Sequence, residues 1–269
     1  MRIAKGLLVG ALLACVVLPT GAASGSTGSL KQSPTNLASQ QDGLHGEVTV
    51  SGAASLTESF TALGKAFRKR HPRVRIRFNF GSTSSLVAQI QNGAPVDVFA
   101  SADITSQDRL SASGNIVSSP TVFARNTMQI AVKPGNPYAV RNVADLARVK
   151  VVALCGAAVP CGVYAATVLN LAKTTLPTTM ITRGVDAKAT LAAVTLGDAD
   201  AAIVYATDVR QAGKQAQGVA IPAAQNVKAM YAISVVRGAA NRAAAQAFVK
   251  FIVSAEGQTI LRAFGFLAP

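Results

Sequence analysis

The chain has 269 residues, half of them hydrophobic, which allows one large or two modest domains with real cores and excludes a disordered protein. Its 26 Lys and Arg against 12 Asp and Glu leave a net charge of +14, suited to a nucleic acid, an anionic membrane face or an anionic ligand. With two His, three Cys and no HExxH, CxxC or Walker loop, a metal-dependent or His-based enzyme has little material, and basic residues do not interleave with aromatics as single-stranded nucleic acid would need.

Residues 1–23 read as an export signal: Arg2 and Lys5, an apolar run over 7–18, then Pro19 to Ala23. Two exits fit. Leu12-Leu13-Ala14-Cys15 is similar to a lipobox, in which Cys15 becomes the lipidated N-terminus, and Gly21-Ala22-Ala23 suits ordinary cleavage. Residues 24–45, rich in Ser, Gly, Gln, Thr and Asn, form a flexible tether, as expected of a protein held at the outer side of a membrane.

From residue 46 strands and helices alternate. A strand over 48–51 passes through Gly52, Ala53 and Ala54 to Ser55, placed as the N-cap of a helix over 56–70 that His71-Pro72 stops. A helix start leaves about four N–H groups unpaired and carries roughly half a positive charge, so an anion can complete it. The basic block from Lys65 to Arg77 reads as a solvated helix end entering an alternating strand over 74–80. Gly81 to Ser85 then leads into a helix bearing Leu86, Val87 and Ile90, which repeats the first arrangement.

A buried strand over 96–100 and a helix over 107–113 follow, and a strand over 127–132 crosses into a second unit. A helix starts at 143, a strand spans 149–154, and Val159-Pro160 opens a helix to 174, Pro being suited to a first turn. Asp186 is the candidate cap of a helix over 191–197, and a strand over 200–205 ends in Tyr205. A short helix (208–217), strands at 219–221 and 230–235, and helices over 242–254 and 255–264 complete the chain. The pattern predicts an α/β fold with largely parallel sheets, whose ligands lie beyond the carboxyl ends of strands. All four junctions and Tyr205 belong at that end.

In an exported chain Cys155 and Cys161, in CGAAVPC, are expected to pair as a disulfide; the competing reading of Cys161 as a nucleophile lacks a nearby His. The candidate donors are hydroxyls and backbone amides, with Lys188 the one cation within the motifs. Such donors match a fully deprotonated oxyanion, whereas a protonated one also needs an acceptor.

AASL at 53–56, the Ser-rich turn before Leu86 with Gln89-Ile90, GAPVDVFASAD at 93–103, VPCG with Tyr164, and IVYATD at 203–208 resemble the periplasmic molybdate-binding proteins of molybdate ABC transporters. The resemblance covers residues 47–269. It implies a two-lobed Venus-flytrap fold of mixed, mainly parallel sheets, with lobe one at 47–127 plus 227–269, lobe two at 128–226 and the ligand in the cleft between them. It also implies a monomer with neither enzymatic activity nor cofactor, which binds molybdate or tungstate rather than a bare metal ion and delivers it to a membrane permease. Carried over by motif, the oxyanion contacts fall on Ser55 and Thr83 (hydroxyl and amide), Cys161 and Ala187 (amide) and Tyr205 (phenol). Ser82 and Ser84 are alternatives to Thr83, and an alignment one residue off would select Asp186. The sequence departs from the family pattern with Thr83 for a common Ser, Cys161 for a small residue and Ala187 for a larger aliphatic. Sulfate is the alternative ligand on the same fold; ferric iron would call for adjacent tyrosines, and Tyr205 stands alone in the sequence.

Overall fold

The computed structural model describes residues 43–269; the export segment, Cys15 and all but the last three residues of the tether lie outside them. Strand β1 (Gly46–Ala53) and helix α1 (Thr57–Arg70) begin a βα alternation. Phe60, Leu63 and Phe67 recur on one face of α1 and are buried, while Lys65, Arg68 and Lys69 occupy the opposite, exposed face. The helix ends at His71, ahead of Pro72. β2 (Val74–Gly81) and α2 (Thr83–Gln91) follow, then β3 (Val98–Ser101), buried throughout as suits an interior strand, and α3 (Thr105–Ala112).

β4 (Thr121–Val132) is twice the length of the strand expected over 127–132 and begins six residues earlier. β5 (Val152–Cys155), α4 (Pro160–Leu171), β6 (Ile181–Gly184), α5 (Ala187–Thr195), β7 (Ala201–Tyr205), α6 (Ala206–Ala212) and β8 (Gln217–Ala220) come next. β9 (Lys228–Val235), α7 (Arg242–Val253) and α8 (Ala255–Ala263) complete the chain. The helix expected from 143 is a 3₁₀ segment, Ala144–Arg148, and β6 had no counterpart in the sequence reading.

Among the described residues the strands join in the order β2-β1-β3-β9-β4-β7-β5-β6, with β8 on β4. β4 changes partners midway: Thr121 to Thr127 pair with β9, and Met128 to Val132 pair with β7 and β8. The sheet therefore consists of two half-sheets that share one strand. Asn226 holds the return crossing, its side chain accepting from Met128 N at 3.0 Å and donating to Met128 O at 2.8 Å.

The expected parallel predominance is not found. The β1–β2, β1–β3, β5–β6 and β5–β7 pairs are parallel, but every pair that includes β4 or β9 is antiparallel. The chain passes between the half-sheets in both directions, so the strands that carry it run opposite ways.

The main core lies between the first half-sheet and α1 and α7. Phe60 and Phe123 stand 5.6 Å apart, and Phe67 and Phe248 5.3 Å apart, at tilted or edge-to-face angles. Gly64 lets α1 approach β2, since a Cβ there would meet the Phe78 ring at 2.9 Å.

Candidate functional site

Four junctions open on one cleft. β1 enters it through a 3₁₀ turn, Ala54–Leu56; β2 leads into α2, the loop after β5 into α4, and β6 into α5. Tyr205 reaches the same cleft from the end of β7. All five residues named from the sequence line it, and none is more than 5% exposed. Its cavity volume of about 20 Å³ lies far below the roughly 300 Å³ at which pockets for organic ligands begin. One compact ion fits that scale. No Lys, Arg or His lines it, and its one carboxylate, Asp186, is engaged as the N-cap of α5, accepting from Ala189 N at 2.9 Å.

Ser55 differs locally from its expected role. It sits inside the 3₁₀ turn and caps nothing; its hydroxyl instead lies 2.8 Å from Tyr231 Oη. The direction of that bond follows from its neighbours. Thr127 N donates to Asn126 Oδ1 at 2.9 Å, which turns Asn126 Nδ2 toward Thr207 Oγ1 at 2.8 Å and Tyr231 Oη at 3.5 Å. Tyr231 Oη therefore accepts from Asn126 and donates to Ser55, leaving the Ser55 proton free for the cleft. Thr83 is arranged in the same way: its Oγ1 accepts from Ala102 N at 3.3 Å and keeps its own proton.

Of the alternatives to Thr83, Ser84 is occupied, its Oγ donating to Ala158 O at 2.8 Å, whereas Ser82 lines the cleft and caps α2 by accepting from Ser85 N at 3.2 Å, which leaves its proton free as well. Tyr231, Asn126 and Ala102 were missed in the sequence. Ser55 and Tyr231 are 176 residues apart, and no local pattern links them.

The opposite wall supplies backbone. Cys161 and Ala187 lie in the first turns of α4 and α5, where N–H groups have no intrahelical partner. Cys161 is bonded to Cys155, the Cα atoms 5.7 Å apart, so it has no thiol with which to act as a nucleophile. Gly162 permits the tight start of α4, because a Cβ there would fall 2.0 Å from Gly156 O.

Tyr205 is buried, and its Oη has no hydrogen-bond partner among the described residues. It does not stand alone, contrary to its appearance in sequence: the Tyr231 ring is 5.6 Å away and the Tyr164 ring 6.3 Å. Burial drives the phenols of Tyr205 and Tyr231 well above their ordinary value, and burial with Asp103 nearby pushes Tyr164 up to about 12. All three stay protonated. They are hydrogen donors rather than the phenolates that ferric iron favours.

Lys188 is turned out of the cleft. Its Nζ bonds Glu58 Oε1 on α1 at 2.8 Å and stands 3.5 Å from Asp208 Oδ1 on α6. Burial pushes the Asp208 carboxyl up to about 6 in spite of Lys188. The Lys188–Glu58 bond joins the two half-sheets beside the cleft, as do Ser84 with Ala158 and Tyr164 Oη with Ala102 O at 3.4 Å.

A sheet shared by two βα halves, with helix starts converging on an enclosed cleft at their junction, is the architecture of a solute-binding protein. The bacterial extracellular solute-binding protein family matches residues 48–267, and the chain belongs to that family. It is 34% identical over 266 residues to the molybdate-binding protein ModA of Mycobacterium tuberculosis, covering 98% of this chain and 96% of that one. Its fold matches the periplasmic molybdate-binding protein of Azotobacter vinelandii with a TM-score of 0.76 at 23% identity, over 82% of this chain and 99% of that one. It also matches the sulfate-binding protein SubI of M. tuberculosis, with a TM-score of 0.72 at 20% identity, over 82% and 86%. No helix among the described residues is long and apolar enough to cross a membrane.

Proposed function

We propose that this protein captures molybdate, and tungstate with it, outside the cytoplasm and delivers it to the membrane permease of an ABC importer, working as a monomer without catalysis or cofactor. Residues 47–127 with 227–269 act as one lobe and 128–226 as the other. The oxyanion is held by the hydroxyls of Ser55, Thr83 and Tyr205 and the amides of Cys161 and Ala187. The observation that carries this reading is the enclosed cleft where these uncharged donors meet and where the buried Tyr205 hydroxyl has no partner. The identity to ModA over nearly the whole chain supports the choice of cargo.

Neutral donors set the selectivity. A buried donor left unpaired costs about 1–3 kcal/mol, and weak screening strengthens each bond that forms. Hydrogen phosphate brings a proton that needs an acceptor, and the one carboxylate of the wall is engaged as a cap. Contacts across the cleft mark the closed state, which the ligand favours by binding it more tightly than the open one.

Sulfate is fully ionised too, and the fold is shared with a sulfate-binding protein, so it is the second reading. Thermal shift and calorimetry with molybdate, tungstate, sulfate and phosphate separate the two. Molybdate and tungstate should stabilise by about 2.7 kcal/mol at a hundredfold excess over Kd, sulfate and phosphate far less. Strongest stabilisation by sulfate would transfer the assignment to that ion.

A further inference from the structure

Lys188 follows Ala187 in the first turn of α5, and Glu58 lies three residues past Ser55 in the first turn of α1. Their bond therefore ties together two of the turns that meet at the cleft, one from each half-sheet. Beside it α5 packs against the Ala54–Leu56 turn. Six ion pairs occur among the described residues. Five of them lie wholly within 47–127 plus 227–269 or wholly within 128–226, and only Lys188–Glu58 joins the two.

The two carboxylates that Lys188 meets differ in kind. Asp208 is fully buried on the same side of the cleft as Lys188, and its carboxyl, at about 6, is charged near neutral pH. Glu58 comes from the opposite side, and its side chain is 39% exposed against 27% for Lys188. When the halves part, the Lys188–Asp208 pair stays whole, and only the bond to Glu58 breaks, its two ends taken up by water. The sign of the charge adds to this. A carboxylate beside a cleft for a dianion opposes binding by Coulomb repulsion; paired with Lys188, the same carboxylate becomes a closing contact.

We propose that Glu58 and Lys188 form an electrostatic latch between the lobes, anchored by Asp208, that holds the cleft closed over its anion and slows release. The latch rests on the two-lobed reading given above but not on which oxyanion is bound. Neither residue touches the ion. They act on how long the closed state lasts, which the ligand and the latch favour together. A pair this exposed contributes little, so the effect on release is about two- to fivefold.

The test is the release of radiolabelled molybdate, and in parallel of radiolabelled sulfate, chased by excess unlabelled ion near neutral pH. Glu58→Gln should release about two- to fivefold faster than wild type at low salt, and the difference should shrink at high salt. Repulsion alone predicts the reverse, since that substitution removes a negative charge from beside an anion. In a Lys188→Gln background Glu58→Gln should no longer speed release and should slow it, because only the repulsion is left to lose. Lys188→Arg keeps the charge and should release at nearly the wild-type rate. A wild-type protein that retains sulfate instead of molybdate fails the cargo assignment and still tests the latch; retention of neither ion would overturn both. Release from Glu58→Gln no faster than from wild type, or the same acceleration with and without Lys188, would overturn the latch alone.

Discussion

The two walls of the cleft solve one problem by different means. The first half-sheet offers hydroxyls whose direction is settled in advance: Asn126 and Tyr231 orient Ser55, and Ala102 N orients Thr83. The second offers helix-start amides, for which side-chain identity matters little, and a phenol with no partner. Each hydroxyl of the first wall already has one partner and keeps a proton for the cleft, whereas the Tyr205 hydroxyl of the second has no partner among the described residues. Substitutions should therefore weaken the first through lost side chains and the second chiefly through Tyr205.

Removing both hydroxyls with Ser55→Ala and Thr83→Val tests the contrast most severely. Each charge-assisted bond contributes about 1.5–3 kcal/mol, so the pair should cost roughly 10²- to 10⁴-fold in molybdate affinity by calorimetry. A loss under tenfold would mean that this wall does not hold the ligand.

The second wall also has a buried charge behind it, and its sign can be worked out. Asp208 ionises at about 6 in the fold against an ordinary 3.8, so between these pH values the folded state holds the extra proton. Its contribution to stability therefore rises as pH falls from about 6 toward 4 and is flat above and below, by at most roughly 3 kcal/mol. Asp208→Asn should remove that slope in denaturant titrations. Parallel pH profiles for the two proteins would count against it.

Tyr205→Phe distinguishes the walls by opposing effects. Affinity should drop by about 10- to 100-fold, while the ligand-free protein melts at the same or a higher temperature because an unpaired buried hydroxyl has gone. A lower melting point without ligand would show that the hydroxyl already has a partner.

The smallest effect on binding is expected from Cys155→Ser with Cys161→Ser. Opening so short a loop costs about 2 kcal/mol of stability, yet affinity should change less than about threefold because the Cys161 amide remains. A hundredfold loss would show that the disulfide is needed to hold the Cys161 amide in place.

Much of this site could be read in one dimension. Helix starts announce themselves through small residues, caps and Pro, so the turns at Ser82, Pro160 and Asp186 were legible, as was Tyr205 at a strand end. A cap and its helix are local, set by residues three or four apart. The first half of β4 and the whole of β6 were not legible, being too short or too evenly mixed to show a period.

The sequence by itself determined the alternation of elements and the cation-free make-up of the turns that line the cleft, since these follow from composition and local spacing. Only the tertiary structure decided that Tyr231 aims Ser55, that Lys188 faces Glu58 and Asp208 instead of the cleft, and that half the strand pairings are antiparallel. Those are contacts between residues far apart in the chain, and a bond across such a separation forms only when folding has brought both partners to one place.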